Sequence, residues 1–444
     1  MMDRIEQPDR SDHASRSEQP DQPDHAGRLE QSDRPDHASR SEQPDRPDHA
    51  SRLEQSDRPD RVDRSGQPEP AAPAGGSGGA GAAGWRDATR VVHAGEPAAT
   101  PGAPFRAGPV LAAPYHLAAE GPDGADAYGR TDNPTVRALE AAIGELEGGE
   151  AVAFASGMAA ITGLLLATLT AGDTVLLPSD GYFKVREFAG TVLANRGVTV
   201  HTVPTSGPYE LAELAPRLVL LETPANPGLA VCDIAEVAAA SRDLGAVLAV
   251  DNTTATPLGQ RPLALGADVV VASGTKALTG HSDLVLGYVA TADPRLAGRL
   301  RDWRAMTGAI CGPFEAWLAH RSLATLELRL ARQEANAAAV VEFLAGRPEV
   351  TGLRWPGLDP LARRQLTRLP GLVTFELAGE AAATAFLRAT KLVANATSFG
   401  GLHSSADRRA QFGDPVPAGL IRLSVGCEDP ADLIDDLRAG LGGG

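Results

Sequence analysis

Lysine is nearly missing from this 444-residue chain: of 41 basic residues only Lys184, Lys276 and Lys391 are lysine, and arginine supplies the rest. Arginine does not give up its proton in a protein, so any amine chemistry is confined to three positions. Cysteine is equally scarce. Cys232, Cys311 and Cys427 are scattered and odd in number, which speaks against a disulfide framework or a metal site and for a reducing compartment. A basic excess is absent as well, since the formal charge is -16 and no cluster of Lys and Arg is visible, so no nucleic-acid partner is expected. Nor is any apolar run long enough to span a bilayer, and the N-terminus carries no apolar signal-peptide core. The expected location is therefore the cytoplasm, with no membrane partner.

What is present divides sharply. Residues 1 to about 65 repeat with a period of twelve, DHASRSEQPD from Asp12, DHAGRLEQSD from Asp24, DHASRSEQPD from Asp36 and DHASRLEQSD from Asp48. Units so poor in apolar residues cannot offset the entropy of ordering their backbone, so a disordered tail is expected. One histidine per unit admits weak metal binding, but a solvated polar tail is the better reading. The Gly/Ala-rich stretch AAPAGGSGGAGAAG then runs to Gly84, and its GxGxxG match at Gly76, Gly78 and Gly81 follows no strand, which makes it a linker. The tail and linker together occupy residues 1–84.

From Trp85 the pattern becomes that of a globular protein with 43% hydrophobic residues over the whole chain, enough for two folded parts. AVAFA, DTVLLP, TVHTVP, RLVLLE, AVLAVD and DVVVAS are short β-branched runs alternating with helical stretches such as MAAITGLLLATLTAG and IAEVAAASRDLG. That alternation predicts an α/β fold with a mostly parallel sheet covered on both faces. A long helical stretch from about Pro313 to Leu344 leads to strands at LVTFELA and LIRLSVG and helices at EAAATAFLRAT and PADLIDDLRAGL, a smaller α+β part.

Ligands of open α/β sheets gather beyond the carboxyl ends of the strands, and the residues there are chemically coherent. After AVAFA, Ser156-Gly157-Met158 opens a helix whose free N–H groups suit a phosphate, although taken alone Ser156 reads better as an ordinary N-cap. Asp251 follows AVLAV, where a carboxylate can keep a heterocyclic nitrogen protonated. Asn226 follows RLVLLE in TPAN, and Ser273, Thr275 and Lys276 follow DVVVA in SGTKALTGHSD. A lysine amine can be deprotonated by desolvation and attack a carbonyl, which gives Lys276 a reason to be one of three. In LIRLSVG, alternation sets Arg422 and Ser424 on the face opposite Ile421, Leu423 and Val425, and the arginine fork suits a carboxylate.

The blocks YGRTDNPTVRALEAAIGELEGGEAVAFASGMAAI, ETPANPGLAVCDI, VDNTTATPLGQRPLALGADVVVASGTKALTGHSD and IRLSVGCEDPADLIDDL resemble those of the pyridoxal-phosphate-dependent transsulfuration enzymes, the cystathionine γ-lyase and γ-synthase family. The likeness runs from about Trp85 to the C-terminus. It implies a fold-type I enzyme with pyridoxal 5'-phosphate as cofactor and no metal. Residues 85–130 would be an N-terminal arm reaching a neighbouring subunit, 131–325 a cofactor-binding large domain and 326–444 a C-terminal small domain. Lys276 would be the Schiff-base lysine and proton carrier, and Tyr182 in SDGYF would stack on the cofactor ring. Asp251 would pair with the ring nitrogen, Asn226 would lie near the ring hydroxyl, and Gly157, Met158, Ser273 and Thr275 would hold the phosphate. Tyr128 and Arg130 would reach a neighbour's phosphate in a homotetramer made of two active dimers, and Arg422 would bind the substrate carboxylate.

Two departures bear on the substrate. The family usually follows its stacking tyrosine with two glycines, where Phe183 and Lys184 stand here, and it commonly has a glutamate where ATSFGGLHSS has His403. That position borders the distal end of the substrate, and the GGxH pattern resembles the branch described as cystathionine γ-lyases. His281 reads as structural. The expected activity is cleavage of cystathionine to cysteine, 2-oxobutanoate and ammonia. The alternatives are cystathionine γ-synthase, which joins cysteine to an acylated homoserine, and a related methionine γ-lyase. A pyridine-nucleotide oxidoreductase lacks its glycine fingerprint here, and an inert body behind a partner-recruiting tail remains a third class of reading.

Overall fold

The computed structural model describes residues 84–119 and 126–442. The twelve-residue repeats and all of the linker except Gly84 lie outside the described residues.

Seven strands form the first sheet: β1 (Glu150–Phe154), β2 (Thr174–Pro178), β3 (Thr199–Val203), β4 (Leu218–Glu222), β5 (Val247–Asp251), β6 (Val269–Ala272) and β7 (Gly287–Thr291). Their order is β1-β7-β6-β5-β4-β2-β3, parallel except where β7 runs antiparallel between β1 and β6. All residues of β4, β5, β6 and β7 are buried, which is why these strands read as continuous apolar runs rather than alternating ones. The sequence reading missed β7 because it follows SGTKALTGHSD without a helix, so no alternation announces it.

Helix starts follow local rules. Asn133 caps Pro134–Glu147 with its side-chain oxygen, Ser156 caps Gly157–Thr168, and Asp233 caps Ile234–Asp243. The helical stretch expected from Pro313 to Leu344 is two helices, Pro313–Leu323 and Leu326–Ala345. The break has a cause in Arg329, whose guanidinium leaves the helix surface to bind the carbonyls of Ala277 (2.6 Å), Leu278 (2.9 Å) and Ser322 (3.0 Å). Ser322 and Thr325 thus end one helix and start the next around a buried cation.

A second, five-stranded sheet has the order β10-β11-β12-β9-β8, with β8 (Thr351–Arg354), β9 (Leu372–Glu376), β10 (Ala394–Asn395), β11 (Ser405–Arg408) and β12 (Leu420–Ser424). Ile421, Leu423 and Val425 enter the core built on this sheet, as strand alternation requires. Leu326–Ala345 starts in the core of the first sheet with Leu326 and Leu330 and ends in that of the second with Val340, Val341 and Leu344. The carboxyl ends of β4, β5 and β6 and the segment around β10 and β11 meet at the loop that carries Lys276.

Candidate active site

The parallel register sets Glu222 at the end of β4 directly beside Asp251 at the end of β5. Both carboxyls are buried, and burial raises the pKa of each, with the Asp251 charge pushing Glu222 up further. Hydrogen bonds from Thr253 oppose the shift at Asp251, including its N–H at 2.9 Å. Among the described residues no arginine or lysine bonds to either, so no cationic side chain offsets the upward shift. Glu222 also organises its surroundings, accepting the N–H of Tyr182 (2.6 Å) on one oxygen and that of Asn226 (2.7 Å) on the other. Gly181 is obligatory here, because a Cβ would lie 2.5 Å from the Glu222 carboxylate.

On the next strand ends, the helix Gly157–Thr168 starts against Ser273. A Cβ on Gly157 would stand 2.6 Å from the Ser273 Cβ and 2.9 Å from its hydroxyl, so only glycine leaves this cradle open. Ser156 does act as an N-cap, accepting from Ala159 N–H at 3.0 Å, and the earliest N–H groups of the helix keep no intrahelical partner. Met158 and Tyr182 pack partly buried against the same apolar cluster. The Thr275 hydroxyl is engaged twice with Leu286, donating to its carbonyl (3.1 Å) and accepting its N–H (2.9 Å).

Lys184 and Lys391 are exposed, whereas Lys276 is half-buried. Burial first, and then the charges of Arg422 and Arg409, lower the pKa of its amine to about 8. Its Nζ donates to the Ser398 hydroxyl at 2.8 Å and lies 5.5 Å over the Phe399 ring, which Arg422 also approaches at 5.4 Å. Ser398 has φ +85°, a strained backbone for a side chain, and its carbonyl accepts from Arg422 Nη2 at 3.2 Å. Gly400 follows because a Cβ there would meet the Ala277 nitrogen at 2.5 Å, so the glycine loop sits directly on the lysine loop.

Arg422 Nη1 donates to the Asn226 side-chain oxygen at 2.6 Å, which fixes that amide and leaves its NH2 for another acceptor. Burial draws the Arg422 pKa down to about 10, with Asp407 opposing. Tyr128 and Arg130 stand apart from this group. Arg130 stacks on Tyr128 at 5.5 Å and donates to the Ala305 carbonyl at 2.5 Å, and both side chains are exposed. His281 donates through Nδ1 to the Thr279 carbonyl at 2.6 Å, a local turn contact.

Sequence reasoning missed Glu222, Ser398 and Asp407. Glu222 had a signal, since it ends a strand as Asp251 does. Ser398 lies in a loop and Asp407 in β11, which meets Arg422 through pairing with β12, so neither leaves a local trace.

A cavity of about 920 Å³ opens beside Ser398, Phe399 and Thr275. Its charged or titratable lining is Asp283, Glu315 and His403 besides the thiol of Cys311, which burial and the nearby Glu315 push up to about 12. No arginine or lysine lines it among the described residues.

Taken together, an open cradle at a helix N-terminus, a buried carboxyl pair with no cationic side chain beside it, an amide and a desolvated amine suit a phosphorylated pyridine aldehyde. Comparison with known proteins agrees. Residues 88–442 match the family model described as Cys/Met metabolism PLP-dependent enzyme. A Streptomyces coelicolor protein provisionally named a cystathionine gamma-lyase is 52% identical over 367 residues, 80% of this chain and 93% of that protein. The L-methionine gamma-lyase of Pseudomonas putida is 40% identical over 71% of this chain and 84% of its own. The crystal structure of cystathionine gamma synthase from Xanthomonas oryzae pv. oryzae in complex with cystathionine superposes with a TM-score of 0.77 at 36% identity, covering 81% of this chain and 98% of the other.

Proposed function

We propose that this chain, which belongs to the Cys/Met metabolism PLP-dependent enzyme family, cleaves the Cγ–S bond of cystathionine. The observation that carries the choice within the family is the charge of the cavity. Cystathionine ends in a second amino-acid group whose ammonium finds Asp283 and Glu315, and whose carboxylate finds His403 and the serine hydroxyls around it. An acyl group on homoserine whose far end is a free carboxylate would face two carboxylates with no cationic side chain to hold it, and a neutral acyl group would leave both carboxylates without a partner.

Bound pyridoxal phosphate supplies the electron sink that makes substrate protons acidic. The chain would hold it with Gly157, Met158 and Ser273 at the phosphate, with Thr275 beside them, Asp251 at the ring nitrogen, Asn226 near the ring hydroxyl, Tyr182 on the ring face and Lys276 at the aldehyde carbon. A protonated ring nitrogen beside Asp251 would oppose the burial that raises its pKa and favour the carboxylate. Arg422 takes the α-carboxylate of the substrate. Lys276 Nζ, whose pKa near 8 leaves a working fraction neutral at physiological pH, removes the Cα proton and carries protons between substrate carbons. Ser398 orients that amine, and Tyr182 assists the transfer. After a β-proton leaves, the thiolate departs from Cγ with the C–S electron pair and is protonated to cysteine. Water then releases the four-carbon remainder, so that cystathionine and water give cysteine, 2-oxobutanoate and ammonia.

The assembly belongs to the same reading. Phe105, Leu111 and Leu117 are 99%, 72% and 62% exposed in the single chain, an apolar arm that a partner copy would cover. Tyr128 and Arg130 would serve a neighbour's phosphate, in a homotetramer of two active dimers. Three unpaired cysteines, two of them buried, fit a cytoplasmic enzyme, and no described helix is long and apolar enough to cross a membrane.

The experiment is a direct competition between reactions. Purified enzyme is given cystathionine, and separately acylated homoserine with cysteine. The proposal expects the larger kcat/KM for cystathionine, and a larger value for the acylated substrate would replace it with γ-replacement.

A further inference from the structure

Arg422 does not stand alone. Asp407 faces it across the antiparallel pair β11–β12, in direct register. Asp407 is 1% exposed and Arg422 4%, and Arg422 Nη2 donates to Asp407 Oδ2 at 2.8 Å. The same oxygen accepts from Arg409 Nη1 at 2.9 Å. Arg409 is in turn pinned by Asp414, through Nε at 2.8 Å and through Nη2, and lies 4.8 Å over the Phe412 ring. Two arginines and two aspartates are thus buried together with no net charge. The Asp407 carboxylate is used unevenly. Oδ2 serves both guanidiniums, while Oδ1 is buried without a partner. A bridge that only held the fold together would be expected to satisfy both oxygens. Concentrating two contacts on one oxygen instead fixes the plane of Arg422, with its Nη2 edge tied to Asp407 and the Ser398 carbonyl and its Nη1 edge turned to Asn226.

We infer that Asp407 is a positioning residue for substrate carboxylate recognition: by tying down one Nη2 proton it fixes the plane of the Arg422 guanidinium and so sets where its remaining donors, Nε–H and one Nη1–H, meet a carboxylate. The inference rests on the reading that Arg422 receives the α-carboxylate. That contact is made equally before and during the reaction, so losing it raises KM and leaves kcat nearly alone. Because every amino-acid substrate presents the same α-carboxylate, the loss is common to cystathionine and to acylated homoserine.

The test uses the cofactor-loaded enzyme and three variants. Asp407→Asn removes the charge. Asp407→Asn with Arg409→Gln keeps the buried charge balanced and so guards against simple misfolding. Asp407→Glu is the conservative rescue. The inference expects KM to rise roughly tenfold or more for both substrates in the first two, with kcat and cofactor absorption within about twofold of wild type, and partial recovery in the third. Unchanged KM in a folded, cofactor-loaded variant overturns it, and so does joint loss of cofactor absorption and turnover in both the single and the balanced variant. Arg422→Ala run beside them separates the two claims. If that variant also leaves KM unchanged, the carboxylate reading itself has failed, whereas a raised KM there with none at Asp407 removes the positioning role alone.

Discussion

The rim of the seven-stranded sheet and the wall supplied by residues 394–424 meet at Lys276, and they are built by opposite means. On the rim, each functional group follows a buried strand within a few residues, so that Asp251 ends β5, and Ser273 and Lys276 come just after β6. The wall is assembled by long-range pairing: Asp407 meets Arg422 only through sheet register, and Ser398 reaches Lys276 across 122 residues of sequence. On the proposed reading the rim holds the reactive chemistry, while the wall and the cavity beside it contact the substrate. Variants on the two should therefore fail in different ways.

The largest effect belongs to the rim. Lys276→Ala should abolish both turnover and the cofactor's imine absorption, and Lys276→Arg should not restore them, because the guanidinium cannot be deprotonated. Spectroscopy and a cystathionine assay check both. Asp251→Asn comes next. With the charge gone from beside the ring nitrogen, kcat should fall by roughly a hundredfold or more while KM changes little, a pattern that no wall variant should reproduce.

This is also where sequence and structure part company. Gly157, Asp251, Ser273 and Lys276 could be singled out from the sequence because strand ends are local features. Arg422 was legible from alternation in a single strand. The acidic cavity, Ser398 and Asp407 were not, since neither the strained turn at Ser398 nor the two-residue strand β10 has a periodic signature, and β7 escaped because an antiparallel return breaks the alternation of strands and helices. Glu222 was visible in principle, as the other carboxylate ending a strand of the first sheet.

A smaller effect tests the desolvation of Lys276 itself, in cofactor-free protein. Its folded pKa of about 8 lies below the ordinary lysine value of roughly 10.4, so the folded state binds fewer protons than the unfolded one between those limits. The burial penalty is therefore full below about pH 8, shrinks as pH rises, and is gone above the unfolded value. Lys276→Met should be more stable than wild type by about 3 kcal/mol at pH 7, with the gap closing toward pH 10.5. Denaturant unfolding across that range measures it, and a gap independent of pH would contradict the assignment.

The smallest expected effect lies on the wall. His403→Glu should change the ratio of elimination to γ-replacement by a few-fold, with cofactor absorption unchanged, because His403 lines the cavity and is none of the residues proposed to hold the cofactor. The ratio of kcat/KM values at several pH values checks this, and an unchanged ratio makes His403 a structural residue of the glycine loop.

The central claim is that the acidic cavity directs family chemistry to the Cγ–S bond of cystathionine. Product analysis with cystathionine as sole substrate tests it most directly. The account predicts 2-oxobutanoate and cysteine in equal amounts, with neither pyruvate nor homocysteine. Pyruvate with homocysteine would place the cut at Cβ, and no cleavage at all beside rapid synthesis of cystathionine from acylated homoserine and cysteine would contradict the account.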